Sequence, residues 1–251
     1  MSNHSKKVVT TIVFLLTATF LYCQKDSLKH TEPLKASANV LVTNKGISLF
    51  PNLSLGKPAL VLNLVVGKKH LFFEPELRWR LNGNPWSYIL WLRYRPQRTT
   101  HFSWHVGAHP SYVLRENDVT VAGVATQRWV AQRNLAGEIV PVWHYSPNFS
   151  LGLHVLASKG LDKAYGNQKS VYVSLQPRFP HIQLSKAYYL GFFPQVFHLQ
   201  LDANEGIYYS QLLTFNKKDL PYYLSSIFTY KLKSTIVGDD IIWNLGFNMK
   251  I

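Results

Sequence analysis

The chain has 251 residues and carries 27 lysines and arginines against 13 aspartates and glutamates, a formal charge of +14, with a single cysteine. Charged residues make up 16% and aromatic residues 14%, too few of the first for an ordinary soluble domain, where about a quarter of the residues are charged. One cysteine excludes an internal disulfide framework and a cysteine metal cluster, and beyond the N-terminal segment no apolar run reaches the roughly 18 residues of a membrane helix, so any membrane crossing must use strands.

In chain order, residues 1–23 read as a cleaved signal peptide. Lys6 and Lys7 form a basic start, Val8 to Phe20 an apolar stretch, and Leu21 and Cys23 the small-site positions before a cut at Gln24. An uncleaved anchor helix would be short for a span and is followed at once by Gln24, Lys25 and Asp26. A lipid anchor on Cys23 would need a small residue before it, where Tyr22 stands. Cleavage removes the only cysteine together with Lys6 and Lys7, so 25 basic residues remain against 13 acidic, a charge of +12. Residues 24–44 are polar and lysine-rich at first and show no period; they read as a periplasmic lead-in.

From residue 45 onward the chain divides into segments with period-two alternation, bounded by turn-forming clusters. The pattern predicts twelve strands, at 45–53, 58–66, 70–81, 86–95, 100–113, 128–145, 149–159, 169–181, 187–199, 206–216, 222–234 and 240–251. In the last, Ile241, Trp243, Leu245, Phe247, Met249 and Ile251 share one face, with Asn244, Gly246, Asn248 and Lys250 on the other. Phe102–Leu114 repeats the pattern, and in 71–81 the residues Glu74, Glu76, Arg78 and Arg80 alternate with Phe73, Leu77 and Trp79. Most segments have the length a tilted strand needs to cross a bilayer. The reading is therefore all-β, an antiparallel up-and-down transmembrane β-barrel of about twelve strands over residues 45–251. A soluble sandwich would bury the same apolar faces against a second sheet, but so many long, two-faced strands favour the barrel.

An even strand count returns the C-terminus to the side of the N-terminus. Turns at Gly67–Lys69, Ser146–Asn148 and Asn216–Pro221 then share the terminal end, and the connections near Glu116–Gln127, Gly160–Gln168, Asp202–Gly206 and Ile236–Asp239 the opposite end. Trp86, Tyr88, Trp143, Tyr145, Tyr188, Tyr208, Tyr222 and Tyr230 fall near strand ends, where rings with a polar handle suit a headgroup boundary. Pro75, Pro110, Pro141, Pro177 and Pro194 fall inside predicted strands on the outward register, against the usual exclusion of proline from central strands.

Signal segment, Gln24 start, the meander of two-faced strands and the terminal segment Asn244–Ile251 together resemble Gram-negative outer-membrane β-barrel proteins of the small porin-like kind. The resemblance covers nearly the whole chain by pattern and rests on no specific motif. It implies the bacterial outer membrane, surrounding lipid and lipopolysaccharide, and no cofactor. That class contains channels, enzymes and structural barrels, so the lumen must decide.

Alternation places Arg78, Arg80, Arg93, Arg95, Arg178, Lys231, Lys233 and Lys250 inward, with Glu74, Glu76, Glu138 and His101, His105, His109, His144 and His154. The basic excess suggests a passage for small, hydrophilic, anionic solutes. The opposing reading is a closed structural or partner-binding barrel whose Glu–Arg pairs cross-link its interior; twelve strands lie between the filled and open regimes. Successive histidines among His101, His105 and His109 stand roughly 13 Å apart along one strand, too far to share an ion unaided, so no metal site is expected. A membrane lipid hydrolase or acyltransferase would need a nucleophile and base in reach, and His198 with Ser210 is the pair to consider. Nucleic acid is not an expected partner, because the basic residues are spread across strands behind an export signal. Lys159, Lys163 and Lys169 on the loop side suit anionic headgroups, and a monomer is expected.

Overall fold

The computed structural model describes residues 33–121, 124–162 and 166–251; residues 1–23, expected to be a signal peptide, residues 24–32 of the expected lead-in and Lys163 lie outside the described residues. The strands are β1 (Lys35–Thr43), β2 (Ala59–Lys68), β3 (Leu71–Arg80), β4 (Pro85–Tyr94), β5 (Phe102–Val121), β6 (Val124–Ser146), β7 (Phe149–Gly160), β8 (Lys169–Gln183), β9 (Tyr188–Leu201), β10 (Asn204–Lys217), β11 (Tyr222–Ser234), β12 (Ile241–Trp243) and β13 (Gly246–Lys250). Each pairs antiparallel with its chain neighbour from β1 to β11, and β13 returns to β1, so the sheet closes on itself. β12 and β13 both pair with β11 in one continuous register. They are two halves of one wall strand, and the wall is a closed twelve-strand barrel.

Alternation sorts the side chains. Val42, Phe73, Leu92, Leu135, Ile139, Val173, Val196, Leu224 and Phe247 are exposed on the outward register. On a soluble protein so large an apolar surface would drive association; around a closed barrel it is the surface suited to lipid. At the terminal end rings meet along the outside: Phe102 with Trp143 at 5.6 Å, Phe149 with Phe179 at 5.1 Å, Tyr188 with Phe215 at 5.4 Å and Tyr222 with Phe247 at 5.7 Å. Two expected girdle aromatics are instead interior. Trp86 is turned inward at an irregularity in the β3–β4 register and is 3% exposed, and Tyr208 lies on the inward register beside Phe197.

Three departures from the sequence reading shape the lumen. The first wall strand is β1, within the segment read as lead-in, while the predicted strand 45–53 is a loop containing a single 3-10 turn, Pro51–Leu53. Its apolar residues, which suggested a strand, meet the lumen wall instead, with Phe50 and Leu53 half-buried there: Phe50 packs on Tyr172 at 6.3 Å and the Trp86 indole donates to the Leu53 carbonyl at 3.2 Å. The connection expected over Glu116–Gln127 is strand on both arms, because β5 and β6 pair from Phe102 to Val121 without a break.

The terminal strand is interrupted at Asn244–Leu245, where side-chain amides replace ladder partners. Asn244 Oδ1 accepts from the Ile227 N–H at 2.8 Å, and Asn44 Oδ1 accepts from the Leu245 N–H at 2.8 Å.

The five prolines do sit in wall strands, and the register shows how. Pro75 lies at a break between Asn63↔Glu76 and Val66↔Phe73, Pro110 between Ile89↔Ser111 and Leu92↔Ala108, and Pro141 between Ile139↔Val155 and Val142↔Gly152. Pro177 and Pro194 face the same break, between Leu175↔Val196 and Phe179↔Phe192. On its other side each proline is paired in sequence with its neighbours, as Pro75 is with Leu90. An antiparallel residue directs its N–H to one neighbour only, so the missing donor costs one interface and spares the other.

Candidate functional site in the lumen

The inward residues of β3, β4, β5, β6 and β7 form a charged cluster on one side of the lumen. Arg93 links two carboxylates, donating to Glu138 Oε1 at 2.6 Å and to Glu74 Oε2 at 2.7 Å. His105 Nε2 lies 3.1 Å from Glu138 Oε1, and His154 Nε2 lies 3.0 Å from Glu138 Oε2. Arg95 Nη2 approaches Glu74 Oε1 at 2.7 Å without hydrogen-bond alignment, a Coulombic contact. Arg78 donates through Nε to Glu76 Oε1 at 2.6 Å and stacks on Trp86. Trp91 completes the cluster, with the Arg93 guanidinium 4.0 Å over its ring and the His109 ring at 4.1 Å. Glu138 is 7% exposed and Glu74 8%; charges so buried persist only when paired.

The remaining expected lumen residues separate from this cluster. Arg80 reaches Glu116 at 3.7 Å and lies over Trp129. Lys231 is bound at the loop end by Asp240 at 2.7 Å and the Gly238 carbonyl. Lys250 lies over the Tyr223 ring. Lys233 leaves the lumen face: the register slips after Lys231, pairing Lys233 with Ile207 on the outward side, and it is exposed. Among the histidines, His144 meets Ser103 Oγ at 2.8 Å, and His101 lies in the exposed turn before β5. Arg178 has no carboxylate partner among the described residues and donates to Gln176 Oε1 at 2.8 Å.

Two cavities flank the inserted loop. The larger, about 440 Å³, lies among β1, β2, β3 and β8–β11 and contains Arg178, Gln176, Gln195, Phe193, Leu212 and Ile227 on its walls. The smaller, about 240 Å³, lies against the charged cluster and includes Trp91, Arg93, His109, Gln132 and Glu138. Ser48 and Leu49 of the loop and Glu76 and Arg78 of β3 border both, so loop and ion pair together stand between the two spaces. Gln195 gathers the polar wall of the larger cavity: its Oε1 accepts from Tyr172 at 2.9 Å, Ser174 at 3.0 Å and Gln176 at 3.1 Å. These uncharged residues lie on the same alternation as the arginines; searching for charge alone passes over them.

The pair considered for hydrolysis is divided by the wall. Ser210 is inward and bonded to Thr229 at 2.8 Å, whereas His198 stands at the outward register opposite Ile207, 3.1 Å from Glu205. A nucleophile and base on opposite faces cannot exchange a proton.

The sequence matches no protein-family profile and no curated relative. Among solved structures the fold is similar to the KdgM porin, with a TM-score of 0.50 and 10% identity over 85% of this chain and 98% of that one. It is also similar to the NanC porin (TM-score 0.49, 10% identity, 85% and 97% covered) and to the COG4313 outer membrane channel of Pseudomonas putida F1 (0.49, 11% identity, 90% and 99%). The chain thus has the fold of a small porin-like outer-membrane barrel.

Proposed function

We propose that the protein is a bacterial outer-membrane channel that passes small anionic solutes. The observation that carries this is Arg178, an inward guanidinium on the larger cavity with no carboxylate partner among the described residues, while Arg78, Arg93 and Arg95 are each matched to glutamates. A low-dielectric wall focuses the field of such a charge on whatever enters. The KdgM porin has been solved in complex with an oligogalacturonate, an acidic solute of that protein, which accords with the sign. Lys159 and Lys169, opposite each other on the outward side of β7 and β8, suit the anionic headgroups of lipopolysaccharide.

Planar bilayers test the proposal directly. The folded barrel should give stable single-channel steps, and the reversal potential in a potassium chloride gradient should show anion preference. Arg178→Gln should move that potential toward cation preference. Absence of steps from folded protein, or cation preference in the unaltered barrel, would reject anion passage. A closed structural barrel is the second reading, favoured by the inserted loop and the Arg93 cross-link; it requires silence in the same experiment.

A further inference from the structure

We infer that the larger lumen cavity is a binding subsite for an amphipathic monoanion, a compact organic carboxylate with more apolar than polar surface. The inference rests on anion passage and narrows its solute. At about 440 Å³ the cavity falls in the range of roughly 300–1,000 Å³ typical of sites that hold organic ligands. Its walls depart from those of a hydrophilic channel. Leu41 and Val61 enter from β1 and β2, Phe193 and Phe197 from β9, Leu212 from β10 and Ile227 from β11. All six lie on the inward register.

Ile47 and Leu49 of the inserted loop add to the same apolar lining. Against it stand two guanidiniums with different freedom. Arg78 is held by Glu76, and Arg78 is 8% exposed. Arg178 is held only by the neutral Gln176, so its charge remains available to a carboxylate. A freely hydrated sugar acid would have to place its hydroxyls against the aliphatic and phenyl surface and lose water there without replacement. An aryl or branched alkyl group gains from that same surface. The carboxylate meets Arg178, and Gln176 and Gln195 offer amide groups beside it.

The test compares three probes by equilibrium dialysis against the detergent-solubilised full barrel, with binding to protein-free micelles subtracted. Naphthoate has ring and charge, naphthalenemethanol the ring alone, and glucuronate the charge alone. Naphthoate should bind about tenfold or more tighter than either of the others. Arg178→Gln should abolish its advantage over the alcohol and Arg178→Lys should retain most of it. Leu212→Asn should weaken naphthoate while leaving glucuronate unchanged, with heat-modifiable gel mobility showing that each variant is folded. Glucuronate binding as tightly as naphthoate, or an Arg178→Gln barrel that still prefers naphthoate to the alcohol, would overturn the subsite. Binding here needs no conductance: naphthoate bound by a silent barrel removes only the passage, and conductance without naphthoate preference removes only the subsite.

Discussion

Glu138 is the residue on which the charged half of the lumen depends. One carboxylate accepts from Arg93, His105 and His154, each from a different strand, so its removal leaves a buried guanidinium short of a partner. Glu138→Gln is expected to lower stability by about 3–5 kcal/mol, the cost of breaking a buried pair from one side. Urea unfolding in lipid vesicles followed by tryptophan fluorescence measures it; a loss below about 1 kcal/mol, typical of exposed pairs, would mean that the cluster is not structural. At the loop end, Arg133 holds the Asp162 carboxyl below the usual carboxylate range through side-chain and backbone hydrogen bonds. The sign follows: the contact is complete at neutral pH and is lost only as pH falls through that lowered value. The Arg133 amide, which donates to Asp162 Oδ2 at 2.7 Å, should stay protected from hydrogen exchange at pH 5, above the usual range of about 4, and lose protection there in Asp162→Asn. The charged residues of this site were legible by alternation alone, since inward parity names Arg78, Arg93, Glu74, Glu76 and Glu138 together. Lys233 was not, because one register slip reverses every face beyond it.

The inserted loop between β1 and β2 is the element that borders both cavities of the lumen. Its path depends on Gly46, where any added Cβ would stand 2.7 Å from the Trp86 ring, so Gly46→Val should displace the loop. Replacing residues 46–56 by a short turn should raise single-channel conductance severalfold while leaving the barrel folded; unchanged conductance would show that the loop does not limit passage. A second element-level dependence is the splice in the terminal strand. Asn244, 4% exposed, accepts from Ile227 and donates to the Lys45 carbonyl, so Asn244→Ala should cost about 1–3 kcal/mol for the groups left unsatisfied, readable as earlier heat-modifiable gel migration. Sequence pattern misplaced the first strand here for a physical reason. β1 carries Ala36 and Ala38 outward and Leu41 inward, a weak alternation, whereas Ile47, Leu49 and Leu53 alternate well because the loop buries one side in the lumen. The two errors cancel, and the count stays at twelve.

At the scale of the whole barrel, the outward apolar register and a closed sheet of twelve strands were readable from period-two alternation, because an apolar outside and a polar inside impose one rule on nearly every strand; that β13 closes on β1 was not, since β1 lies in the segment read as lead-in. The two cavities were not, since they arise where a loop meets the far wall and no local pattern records that meeting. The prolines add a consequence of their own. Their four breaks fall at β2–β3, β4–β5, β6–β7 and β8–β9, all hairpins turned at the terminal end, while β3–β4, β5–β6, β7–β8 and β9–β10 run unbroken through the same residues. The cylinder is therefore built like a cask, from three double staves, β3–β4, β5–β6 and β7–β8, and one wider panel running from β9 through β11 and the terminal strand to β1 and β2, joined along looser seams. A squeeze from the surrounding bilayer would be taken up at those seams, and the bore would change its roundness before any stave gave way.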